Sequence, residues 1–219
     1  LIKFPIETVA ADRTAGKIPA SGSVSFYLKM FNAETPFTLP QDFTLVVAPV
    51  SASWTEGTGL DMDNYQDLGQ SNWGERSSSA AWDRVGADYH TASTLITNVQ
   101  FPLGYENLET NISHLVEEWV SYIDTTPAPG VIKNYGLGVH LTASQEAYFS
   151  SSAGGGAEGA AADSGSIIQN VAGAFQSYYT KKFFARSTEF FYNRPIIEAR
   201  WDSRVLDDRE NFLYSSSLA

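Results

Sequence analysis

The sequence predicts an all-β fold, a jelly-roll-like antiparallel β-sandwich carrying one short capping helix. Short runs of alternating apolar and polar residues recur along the chain, the period of a half-buried strand. Prolines, glycines and asparagines punctuate these runs at the close intervals typical of sandwiches. Only one segment, centred on "HLVEEW", switches to helical spacing.

The elements follow in order. The opening "LIKFPIE" reads as a strand already under way, with no initiator Met or leader, so the natural N-terminus is expected upstream. In Ser23–Phe31, Val24, Phe26, Leu28 and Met30 share one face, while Ser25, Tyr27 and Lys29 share the other. "NAETPFTLPQ", with two prolines, connects this strand to Asp42–Val50, whose inward set is Phe43, Leu45 and Val47. Further strands are expected at Asn98–Leu103, Tyr135–Thr142, Tyr179–Ala185 and Pro195–Trp201.

In the helix, Ile112, Leu115, Val116, Trp119, Val120 and Ile123 form the apolar stripe. Asn111 is its expected N-cap, and "TTPAPG" ends it. "SSSAGGGAEGAAADSG" at 150–165 offers almost nothing to pack and reads as an insertion within a single domain spanning 1–219. A charged and Ser-rich extension occupies 202–219.

Composition limits the function. A formal charge of −11 argues against nucleic acid as a partner, since phosphate backbones require clustered Lys and Arg. No run approaches the ~20 apolar residues that cross a bilayer, so no membrane contact is expected. The absence of cysteine excludes disulfides, thiolate metal sites and a Cys nucleophile. His90, His114 and His140 follow no zinc spacing.

Three groups of residues could carry chemistry. Asp61, Asp63 and Asp67, with Asn64 between them, place hard oxygens at close positions, as Ca²⁺ requires. They lack the central Gly and the terminal Glu of an EF-hand loop, and a solvated acidic loop is the commoner outcome of such a cluster. Glu56, Asp61, Glu117 and Glu118 supply carboxylates, but no spacing shows two of them facing each other across a groove. Trp73, Trp82 and Tyr89, with Trp54, lie in or near one long irregular region. Such rings either pin loops onto a core or present a stacking platform for sugars. No nucleophile elbow, P-loop, zinc helix or dinucleotide fingerprint is present, and a non-enzymatic role is expected.

Taken in order, "WTEGTG", "GADY", "ISHLVEEWVSYI", "NYGLGVHL" and "FFARSTEFFYNRPIIEARW" resemble the DNRLRE domain, a carbohydrate-binding-module-like family. The resemblance covers most of the chain and implies a jelly-roll-like sandwich, common as a non-catalytic domain of secreted proteins. It also implies one or two strands ahead of "LIKF". The insertion at 150–165 and the extension at 202–219 depart from that pattern. The C-terminal third is similar to virion structural proteins of tailed bacteriophages, where such a module decorates a capsid or forms part of a tail or fibre. The expected partners are then capsid or tail proteins and identical subunits. The alternative expectation is a secreted or surface module that binds a polysaccharide through Trp73, Trp82 and Tyr89.

Overall fold

In a computed structural model of the chain, the described residues are 1–36, 39–57, 69–72, 74–84, 86–124, 130–146, 149–150, 169–170, 173 and 179–202. They form an antiparallel β-sandwich with two short helices. One sheet has the order β10-β1-β6, with β1 at Ser25–Met30, β6 at Leu108–Asn111 and β10 at Ile196–Arg200. The other has the order β5-β2-β7, with β2 at Phe43–Pro49, β5 at Thr97–Phe101 and β7 at Leu137–Leu141. Strands consecutive in sequence cross from sheet to sheet, β1 to β2 and β5 to β6, so the two sheets are built from interleaved segments of the chain.

Register sorts the side chains. Leu28 stands opposite Ile197 and Thr110, and Leu45 opposite Val99 and Leu141. Phe26, Leu28, Phe43, Leu45, Val47, Phe101, Leu108 and Leu137 are all buried in one core. Phe43 and Phe101 stack there with centroids 5.3 Å apart. On the outward face of the first sheet, Lys29 pairs with Glu198 at 3.0 Å, and Arg200 pairs with Glu109 at 2.7 Å above the Tyr27 ring. The alternation read in Ser23–Phe31 and Asp42–Val50 therefore divides core from solvent as expected.

Helix α2 spans Ser113–Asp124. The Asn111 side-chain oxygen accepts from the Ser113 N–H at 2.9 Å, as a residue ahead of a helix start can. Ser113 Oγ in turn accepts from the Phe26 N–H at 2.8 Å, tying the helix to β1. Ile112, Leu115, Val116, Trp119 and Val120 are buried, whereas Ile123 is exposed in the last turn. The expected start after Asn111 agrees with the helix to within a residue, and the segment ahead of it, Leu108–Asn111, is a strand paired with β1 that the sequence reading did not include.

The opening segment differs more. Only Ile2 pairs as a strand, with Leu137, and helix α1 then runs Ile6–Thr14. Pro5 explains the change, since it cannot donate to a ladder and its fixed φ suits a helix start. The sequence beyond it, "ETVAADRT", is rich in helix formers, with Glu7 in the first turn and Arg13 in the last, matching the helix dipole. Ile6 and Ala10, one turn apart, are its buried residues. Arg13 grips Glu117 of α2 with two hydrogen bonds of 2.7 and 2.6 Å. The sandwich thus has two capping helices, not one.

Residues 179–185 also depart from expectation. They form an extended strap in which Phe183 alone makes a bridge, with Asn32, flanked by bonds from Ala33 N to Lys182 O and from Phe184 N to Phe31 O. A short hairpin of β3 (Glu75–Ser77) and β4 (Ala80–Ala81) lies in the region read as irregular. The last pair, β8 (Phe149–Ser150) with β9 (Gln169–Asn170), flanks the Gly/Ala/Ser-rich insertion. The rest of that insertion and the 202–219 extension beyond Asp202 lie outside the described residues.

Candidate functional site

The predicted site residues do not assemble into one site. Asp61, Asp63, Asp67 and Trp73 lie outside the described residues, and the calcium expectation lies there with them. Among the described residues, no group of three or more His, Asp or Glu could hold a metal ion. Two of the carboxylates considered for acid–base work are engaged elsewhere. Glu117 is held by Arg13 as above, and Glu56 pairs with Arg186 at 2.9 Å.

Trp82 and Tyr89 pack rather than project. Trp82 is 3% exposed and donates its indole N–H to Asn72 O at 3.0 Å. With Val50 and Ala87 it forms a second, small core, against which Trp54, Tyr89 and Tyr135 pack. A ring so enclosed has no face to offer a sugar, so Trp82 leaves the stacking platform.

Tyr89 stacks on His140 at 4.8 Å, and its hydroxyl donates to Gly86 O at 3.2 Å. Gly138 makes the room, because a Cβ there would lie 2.3 Å from the Tyr89 hydroxyl oxygen. Burial, and then the Glu146 and Asp88 carboxylates, push the phenol up to about 12, so it stays protonated as a donor. Asp88 itself accepts from the backbone N–H groups of Asp83 and Arg84, fixing the turn ahead of Tyr89. These contacts fasten the excursion after β2 to the sandwich.

The exposed apolar surface lies elsewhere. Among the described residues, nine large apolar side chains are exposed, and six of them emerge at one end of the first sheet. The register requires this. β1 ends at Met30, opposite Leu108 at the start of β6, and Lys29 lies opposite Ile196 at the start of β10. The segments just before β6 and β10 therefore lie at the same end of the sheet, on either side of β1. The first carries Leu103 and Tyr105, and the second carries Phe190, Phe191 and Tyr192, with Ile196 at the strand start. Helix α2 follows the other end of β6, so the helices and the aromatic residues crown opposite ends.

Phe190, Phe191 and Tyr192 are 56%, 67% and 88% exposed. They are nonetheless ordered by one another and by their neighbours. Phe190 meets Phe184 edge-on at 5.9 Å, and Phe191 meets Tyr192 edge-on at 5.6 Å. The Arg194 guanidinium lies 5.3 Å from the Phe191 ring centre while donating to Thr188 O. The electrostatics of this end also differ from those of the chain as a whole. Its segments carry Lys181, Lys182, Arg186 and Arg194 against Glu34, Asp42, Glu106 and Glu189, close to neutral on a chain of net charge −11.

Sequence reading passed over this cluster, although "EFFYNRP" held the signal. Three consecutive aromatics cannot all turn inward, since successive side chains point in different directions both in an extended chain and in the 3-10 turn that Phe191–Asn193 forms.

No family model, no curated protein and no solved structure matches this chain.

Proposed function

We propose that this chain is a non-catalytic structural module that joins subunits through its aromatic end, the neighbouring subunit being a second copy of the same chain. The observation that carries the reading is the gathering of Leu103, Tyr105, Phe190, Phe191, Tyr192 and Ile196 on one exposed end. Exposed apolar side chains grouped at one end of a fold mark interaction sites, and aromatic rings with a stacked arginine are the side chains that dominate interface energetics. Charge favours a second copy as the occupant. The aromatic end is close to neutral, so two copies meeting there avoid the repulsion that the strongly acidic remainder of the chain would exert between them.

Placement in a bacteriophage particle, as capsid decoration or as a tail or fibre component, is part of this proposal and rests on the C-terminal resemblance. Detection of the chain at high copy number in purified virions tests it.

Sedimentation velocity over a range of protein concentrations tests self-association. The native chain is expected to sediment increasingly fast with concentration, and the variant Phe190→Ser/Phe191→Ser/Tyr192→Ser to sediment as a monomer with an unchanged melting temperature. Identical behaviour of the two proteins overturns the proposal. Retardation of the native chain, but not the triple variant, in polysaccharide-containing gels would instead assign the rings to a glycan.

A further inference from the structure

Lys181 sits where the segments of the aromatic end meet. Its ammonium donates to Asn32 Oδ1 at 2.8 Å, to Gly104 O at 2.8 Å and to Glu106 O at 2.7 Å. A lysine ammonium has three hydrogens to donate, and these three oxygens take all of them. The rings of Phe101 and Phe183 lie 4.9 and 5.2 Å from the nitrogen and face its positive charge. The acceptors come from two connections, the one leaving β1 and the one between β5 and β6, while the lysine comes from the strap at 179–185. One side chain therefore joins three separate stretches of chain.

The backbone that carries these oxygens is held by contacts that do not involve the Lys181 side chain. Gly104 has φ +85°, and a Cβ there would lie 2.1 Å from Pro40 O, so its backbone is wedged in a conformation open only to glycine. The Glu106 carboxylate accepts from the Leu103 N–H at 2.7 Å and closes the same loop. Asn32 is tied to that loop separately, its N–H donating to Asn107 Oδ1 at 2.8 Å. The 103–106 loop that supplies two of the oxygens is thus held by its own contacts, and preorganised acceptors bind with less loss of freedom.

We propose that Asn32 Oδ1, Gly104 O and Glu106 O, with the faces of Phe101 and Phe183, form a receptor for a primary ammonium group, filled in the native chain by Lys181, and that filling it holds the aromatic end in its docking shape. The second half rests on the assembly reading; the first half stands without it. The ligand class follows from the geometry. Three converging oxygens match three N–H donors, and two ring faces match a cation, whereas a guanidinium fork would leave its planar donors without partners here.

Chemical rescue tests the receptor. Lys181→Ala is expected to lower the melting temperature by roughly 5 °C or more, because three part-buried acceptors lose a charged donor. Propylammonium chloride replaces the missing stem and head. At about 50 mM it is expected to raise the melting temperature of Lys181→Ala by about 3 °C beyond its effect on the native protein. Tetramethylammonium, which cannot donate, and potassium, at matched ionic strength, are expected to give no such difference. Equal shifts from all three salts, or none from propylammonium, overturn the receptor.

Should Lys181→Ala fail to fold, Asn32 decides the question. Asn32→Leu removes an acceptor and is expected to destabilise, whereas Asn32→Asp keeps an oxygen, adds an attractive charge and is expected to retain stability. Equal losses overturn the receptor. Sedimentation decides the docking half separately, with Lys181→Met expected to weaken self-association about tenfold. Successful rescue with undiminished association leaves the receptor standing and overturns its docking role.

Discussion

Gly138→Ala is a small change whose consequence can be worked from a single contact. The added Cβ would lie 2.3 Å from the Tyr89 hydroxyl oxygen, 2.4 Å from its Cε1 and 2.7 Å from its Cζ. Ordinary contact needs more than a further ångström, so the ring must move. Tyr89 stacks on His140 and its hydroxyl is bonded to Gly86 O, so moving it strains or breaks both contacts. Forcing a methyl group into a packed site costs about 1–3 kcal/mol, and a displaced hydrogen bond adds about 1 kcal/mol. Replacing a glycine recovers about 0.4–1 kcal/mol through the unfolded chain. The net expectation is a loss of about 2 kcal/mol, or roughly 4–8 °C in melting temperature for a chain of this size. The assay is a double-mutant cycle by thermal and urea denaturation. In a Tyr89→Ala background the obstruction is gone, and Gly138→Ala is expected to be neutral or slightly stabilising. If Gly138→Ala costs as much without the Tyr89 ring as with it, the packing role assigned to Tyr89 is wrong.

Three further outcomes follow from the same geometry. Glu146 is held above the usual carboxylate range, first by burial and with His140 opposing, so the folded chain holds this proton more tightly than the unfolded chain. Stability from this group therefore falls as pH rises through the raised value, and Glu146→Gln is expected to melt higher than the native protein at pH 7.5, with the gap closing towards pH 4; a gap that widens on acidification would refute the assignment. Trp119 is 1% exposed with its indole N–H unpaired among the described residues, whereas Trp82 donates to Asn72 O. Trp119→Phe relieves an unpaired donor while opening a small cavity, so its cost is expected to stay within about 1 kcal/mol and below that of Trp82→Phe, which strands a carbonyl; the reverse order in urea unfolding counts against both assignments. Removing Glu117 as Glu117→Ala leaves the Arg13 guanidinium without its bidentate partner between the two helices and is expected to cost about 1–3 kcal/mol, partly restored by Glu117→Gln.

The parts of the fold readable from sequence were those where burial alternates with position. Val24 to Met30 and Phe43 to Val47 alternate over five or more residues, and their strands are in place. Elements too short to show a period were not readable. β6 contributes one fully buried side chain, Leu108, from four residues, and β4 is two alanines, so neither writes a pattern. The first segment misled because Pro5 sits inside an apolar run, where hydrophobicity suggested a strand and proline geometry determined a helix. The strap at 179–185 has the composition of a strand, yet Lys181 turns inward to an ammonium cage that depends on residues 75 to 149 positions away. No local signal reports such distant oxygens. Trp82 illustrates the same limit, since an aromatic in a polar loop looks exposed until a hairpin folds it against Val50.

The absence of cysteine allows the proposed contact to be probed at one atom. Tyr192→Cys places a unique thiol on the most exposed ring of the aromatic end, and Lys17→Cys places one near the helices at the opposite end. The rate of alkylation by iodoacetamide would be followed from about 1 µM to about 1 mM protein, the range in which interfaces of modest area assemble. Self-association through the aromatic end requires the Tyr192→Cys rate to fall at least about tenfold with concentration while the Lys17→Cys rate stays constant. A Tyr192→Cys rate that is independent of concentration would contradict it.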